Sequence, residues 1–123
     1  MSEKRIFQRI PFHAEATLTH LESRKIWPIQ VLDLSLKGIL TSNPDAANNF
    51  QADGNFSITI PLSDKGEEFI QTQAELAHQE PKALGFRISN IDVDSITHLR
   101  RLLNLNGIAE DALNRELREL LQS

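Results

Sequence analysis

Six short runs of alternating apolar and polar residues, followed by a change of period at Asp92, constrain this chain more than any other feature. Ala14, Ala16 and Leu18 alternate with Glu15, Thr17 and Thr19, and a period of two predicts a half-buried strand over 14–20. A polar turn at Glu22, Ser23 and Arg24 leads into a second strand from about Ile26 to Leu34, with Trp27, Ile29 and Val31 on one face. Pro28 has no N–H for a ladder, so an edge or a bulge is expected there. The segment Asp33-Leu34-Ser35-Leu36-Lys37-Gly38 breaks the pattern, and Ile39 to Thr41 resumes it. After a loop over 43–54, Phe56, Ile58, Ile60 and Leu62 alternate with polar neighbours, as do Ile70, Thr72, Ala74 and Leu76, then Leu84, Phe86 and Ile88. Six strands in succession with mostly short connections favour an antiparallel sandwich or a small closed barrel. Closure removes the unpaired edges that invite aggregation.

From Asp92 the spacing becomes helical: Ile96, Leu99 and Leu103, then a second helix with Leu113, Leu117, Leu120 and Leu121 on one stripe. Asp92 and Asp94 stand at the first helix's start, where carboxylates cap free N–H groups. The chain has 123 residues, enough for one domain with its own core. The expected layout is a single domain: a flexible basic tail over 1–13, a β region over 14–90 and helices over 92–121.

Composition narrows the function classes. The absence of cysteine excludes thiol nucleophiles, thiolate metal sites and disulfide staples, and it fits a reducing compartment. There is no apolar leader after Lys4 and Arg5, and no run of about 20 apolar residues, so a soluble cytoplasmic protein without membrane insertion is expected. A formal net charge of -4 argues against a DNA- or RNA-binding protein that grips many phosphates. No phosphate loop, nucleophile elbow or dinucleotide fingerprint occurs, and the four histidines lack metal-ligand spacing. The chain therefore reads as a non-enzyme with no catalytic residues, no metal and no cofactor.

Two short constellations remain. Arg5-Ile6-Phe7-Gln8-Arg9, preceded by Lys4, forms R-x-x-x-R, and Asp33, Ser35 and Gly38 form D-x-S-x-x-G. An arginine fork fits a phosphate or the O6/N7 edge of guanine two bonds at a time. A carboxylate accepts from the N1–H and N2–H of guanine, a hydroxyl adds a donor or acceptor, and glycine lets a ligand approach the backbone. Together these groups suit a guanine-bearing, doubly anionic ligand. Each alone has a plainer reading: the arginines as a solvated tail, Asp33 and Ser35 as groups satisfying turn N–H donors, and Gly38 as a positive-φ residue.

R-x-x-x-R followed by D-x-S-x-x-G, in a chain of six strands ending in helices, resembles the PilZ domain family of bacterial cyclic di-GMP receptors. The resemblance covers nearly the whole chain, including Leu84-Gly85-Phe86, and is greatest to stand-alone members. It implies a mainly β fold, a six-stranded antiparallel β-barrel with C-terminal α-helices. It implies further that Arg5 and Arg9 hold phosphates and guanine edges, that Asp33 and Ser35 read a guanine, and that Gly38 shapes the turn. Lys4 occupies the place where relatives carry a basic residue and bind a stacked ligand dimer, and His78 the place of a base-stacking aromatic. The expected protein is a monomer that orders its tail on one or two cyclic di-GMP molecules and signals to a downstream protein in motility or biofilm control. The alternative is a degenerate PilZ-type adaptor that binds protein and no nucleotide.

Overall fold

The computed structural model describes residues 8–45, 50, 54–63 and 67–122. Six strands follow in order: β1 (Ile10–His20), β2 (Ile26–Leu34), β3 (Gly38–Ser42), β4 (Asn55–Pro61), β5 (Phe69–Gln79) and β6 (Ala83–Ile91). Two helices end the chain, α1 (Val93–Leu105) and α2 (Glu110–Gln122). The strands close into an antiparallel barrel in the order β1-β2-β3-β6-β5-β4, and β4 pairs back on β1. The order departs from a simple meander because the long connection after β3 carries the chain across to β1's free side. Of the two architectures the alternation allowed, the closed barrel forms.

β1 begins at Ile10, earlier than the expected Ala14, so Ile10, Pro11, Phe12 and His13 belong to the barrel and not to a tail. Pro11 reads as a breaker but sits where β1 has a single neighbour. It pairs with Asp33 of β2, whereas β4 meets β1 only over Thr17–His20. No second ladder needs an N–H there. Pro28 obeys the same rule: it pairs with Thr17, and the β2–β3 register starts only at Val31.

The alternating residues fill the barrel. Leu18, Phe56, Ile58, Ile60, Ile70 and Leu84 are almost completely buried. Phe50 is buried with them, its ring 4.9 Å from Trp27 and 5.8 Å from Phe56 between centroids. Gln79 fixes that residue by accepting from its N–H at 2.9 Å and donating to its carbonyl at 3.2 Å. Helix α1 starts where Asp92 Oδ1 accepts from Ser95 N–H at 2.7 Å, the capping role expected of that carboxylate. It lays Leu99 and Leu103 into the core, and Ser95 Oγ accepts from Gln71 N–H of β5 at 2.9 Å. Gly107, at φ 109°, ends the helix in the left-handed conformation that favours glycine. Among the described residues no helix is long and apolar enough to cross a membrane.

Candidate functional site

The turn between β2 and β3 is tied down from both sides. Leu34 and Leu36 are buried in the core and hold Ser35 between them. Ser35 N–H donates to the Gly38 carbonyl at 3.0 Å. The Ser35 hydroxyl accepts from Gly38 N–H at 2.9 Å and Lys37 N–H at 3.2 Å, and lies 3.3 Å from the Gly38 carbonyl as donor. A hydroxyl has one donor and two acceptor positions, so the turn uses all of them. Ser35 is therefore a brace of the turn, not a free group facing a base. Gly38 is not at positive φ. Glycine is required there because β3 and β6 approach closely: a Cβ at 38 would lie 2.9 Å from the Phe86 carbonyl oxygen.

Asp33 stands in β2 two residues before Ser35, paired with Pro11 on one side and Leu40 on the other. The β1–β2 register shifts between Pro11 and Ala14, and the β2–β3 register between Val31 and Asp33. Such irregularities re-aim side chains at the rims of barrels. Asp33 is half-buried, and among the described residues its carboxylate has no hydrogen-bond partner. It is the uncommitted acceptor of the turn region.

His78 arrives from β5 by a bulge. Leu76 pairs with Phe86 and His78 with Gly85, leaving Ala77 as the extra residue. Gly85 makes room for the imidazole, since a Cβ there would come within 3.2 Å of His78 Cβ. The exposed ring lies with Nε2 2.8 Å from Glu80 Oε2.

Arg9 immediately precedes β1 and is exposed. With Asp33, Ser35, Gly38 and His78 it lines one pocket of about 180 Å³, floored by Ile39, Leu40, Ala77, Gly85 and Phe86. The fold thus gathers five of the seven residues singled out in the sequence; Lys4 and Arg5 lie outside the described residues. The floor residues escaped the sequence reading. Only Gly85 gave a signal, as a glycine inside an alternating strand. The volume falls below the roughly 300–1,000 Å³ of pockets that engulf a drug-sized ligand. The cavity has room for one small group, with the remainder of a larger ligand outside it. A bigger cavity of about 470 Å³ lies over the outer faces of β1 and β2, but Glu15 is its one charged lining residue, the wrong sign for an anion.

One further carboxylate reaches this region. Glu116 of α2 is fully buried, and its Oε2 accepts from Gln8 N–H at 3.0 Å. Burial pushes its carboxyl above the usual range, opposed in smaller measure by the Gln8 hydrogen bond and the neighbouring Arg115 charge.

The chain is thus a closed antiparallel barrel carrying a small pocket lined by one arginine and one uncommitted aspartate. Residues 3–105 match the PilZ domain family, and the chain belongs to that family. Several solved structures share its fold, three of them as follows. The PilZ domain with c-di-GMP of YcgR from Escherichia coli is 20% identical, with a TM-score of 0.63, covering 98% of this chain and 99% of that one. The inhibitor of motility MotI/DgrA of Bacillus subtilis is 18% identical with a TM-score of 0.62; the match covers 84% of this chain and 53% of that one, so this chain corresponds to about half of that protein. The PilZ domain of CeSA from a cellulose-synthesizing bacterium is 18% identical with a TM-score of 0.59, covering 77% of this chain and 93% of that one.

Proposed function

We propose that this protein is a cytoplasmic, non-catalytic receptor for cyclic di-GMP. The observation that carries the reading is the meeting of Arg9, Asp33 and His78 in the lining of one pocket, with the Asp33 carboxylate uncommitted. Asp33 accepts from the N1–H and N2–H of a guanine seated in the pocket. Arg9 forks onto a phosphate or the O6/N7 edge, and Arg5, with Lys4, closes over the ligand from outside. His78 stacks on the exposed base face. Ser35 and Gly38 act indirectly, by keeping the Asp33 corner stiff. Closing the arm changes the surface that a downstream protein reads, which makes binding a signal. The PilZ domain of YcgR, whose structure contains c-di-GMP, supports the choice of ligand.

Titration calorimetry with cyclic di-GMP, set against GTP, GMP and short oligonucleotides, tests this. Saturable binding of cyclic di-GMP alone is the expected result, and its stoichiometry separates one ligand from a stacked pair. Heat absent for cyclic di-GMP but present for an oligonucleotide would sink the assignment.

A further inference from the structure

We propose that Glu116 is a positioning residue for the ligand pocket, its carboxylate holding the arm backbone at Gln8 and so setting Arg9 at the pocket rim. This rests on the reading of that pocket as the cyclic di-GMP site.

Helix α2 has no need of an acid at this place. Leu113, Glu116, Leu117 and Leu120 fall at i, i+3, i+4 and i+7, one face of a helix, and Leu113 and Glu116 are both fully buried. A core-facing carboxylate is costly unless its oxygens are satisfied. Here only Oε2 is bonded, to Gln8 N–H, and Oε1 has no hydrogen-bond partner among the described residues. A leucine at 116 would complete the stripe without that cost. What the carboxylate adds is the bond to the arm.

Position in the chain gives that bond its consequence. Gln8 lies between Arg5 and Arg9 of R-x-x-x-R, and Ile10, on the other side of Arg9, is buried in the core at 4% exposure. Arg9 is thus pinned through both neighbours, by Glu116 before it and by the barrel after it. Its backbone is fixed while its side chain stays exposed at the pocket. Presenting the guanidinium in advance lowers the ordering cost of binding. The bond uses the backbone of residue 8, so the demand falls on position 116 and not on the Gln8 side chain. Helix α2 lies beyond residue 105, where the family match ends, so the anchor reaches the pocket from outside the matched segment.

The test uses the full chain and two readouts, amide exchange at Gln8 without ligand and cyclic di-GMP affinity. Glu116→Met removes the acceptor at similar volume, Glu116→Gln keeps an acceptor oxygen, and Gln8→Pro deletes the donor without touching α2. The expected result is Gln8 exchange at least about tenfold faster in Glu116→Met, with ligand affinity about tenfold weaker and thermal stability equal or higher. Glu116→Gln should stay within about threefold of wild type in both readouts, and Gln8→Pro should lose affinity as Glu116→Met does. Unchanged Gln8 exchange and affinity in Glu116→Met, or affinity kept in Gln8→Pro, would overturn the anchor. A wild-type chain that bound no cyclic di-GMP would overturn the ligand assignment alone, with exchange at Gln8 still deciding for or against the anchor.

Discussion

Gly38 of β3 passes so close to Phe86 of β6 that a Cβ at position 38 would lie 2.9 Å from the Phe86 carbonyl oxygen. The obstacle is backbone, so it cannot swing aside as a side chain would. Gly38→Ala must push β3 from β6 or tilt the turn that holds Ser35. Overpacking of this kind costs about 1–3 kcal/mol. Urea denaturation is expected to show that loss, and ligand affinity should fall further than the unfolded fraction explains. A variant as stable as wild type would show that the two strands part easily.

Asp33 and Ser35 belong to one motif but do different work, and substitution separates them. The Ser35 hydroxyl is spent inside the turn. Ser35→Ala removes the acceptor that the Lys37 and Gly38 N–H groups share and is expected to cost about 1–3 kcal/mol of folding stability. Asp33→Ala removes a carboxylate with no hydrogen-bond partner among the described residues, so stability should hold within about 0.5 kcal/mol while cyclic di-GMP binding collapses. Paired melts and titrations check this. The reverse pattern, an unstable Asp33→Ala that still binds, would return Asp33 to a purely structural place.

Arg9 is exposed, so Arg9→Ala should leave the melting temperature nearly unchanged. A lost charge-assisted contact to phosphate or guanine costs about 1.5–3 kcal/mol, roughly a ten- to hundredfold rise in Kd. Calorimetry in low and moderate salt checks it, and the wild-type salt dependence should shrink in the variant. Amide protection of residues 4–7 should rise on ligand addition. Equal protection with and without ligand would remove arm closure from the mechanism.

His78 offers a stacking face beside Gly85. Base stacking on a side-chain ring is worth about 1–3 kcal/mol by alanine substitution for aromatics, and imidazole stands at the low end. His78→Ala is expected to weaken cyclic di-GMP several-fold, and His78→Trp to strengthen it, both with little change in stability because the ring is exposed. Stronger binding by the alanine variant would mean that the imidazole obstructs the base.

Much of this was legible before the structure, and the failures share a cause. Period-two alternation located all six strands because each has one face in the core and one in water. It could not give strand order, which depends on where a loop travels. The start of β1 at Ile10 lay inside the expected tail, and Pro11 is tolerated there because its position beside Asp33 leaves no second ladder that needs an N–H. The pocket floor was invisible because it depends on cross-strand registers, above all the bulge at Ala77 that sets His78 opposite Gly85. Ser35 shows the limit of motif reading: the motif marks the right corner, but only geometry shows the hydroxyl turned inward. Glu116 was missed because a charged residue at helical spacing reads as a solvated face, and nothing in α2 announces a partner more than 100 positions earlier.

The buried Glu116 carboxyl also makes a prediction about pH. Burial raises its pKa in the folded chain above that of the unfolded chain, the Gln8 bond and Arg115 pulling more weakly the other way. Below the unfolded value both states are protonated, and the stabilising contribution is fully present. As pH rises the unfolded chain releases its proton first, and the contribution is lost through the folded value, because the native state must then hold a buried charge. Other carboxylates titrate over the same range, so the useful quantity is the difference between wild type and Glu116→Gln, which cannot ionise. From about pH 4 upward, the melting temperature of Glu116→Gln should climb relative to wild type, and it should level off once the pH has passed the folded value. Parallel curves across that range would mean that water or an arm cation compensates Glu116 fully, and the carboxylate would then carry no folding cost for the arm's bond to offset.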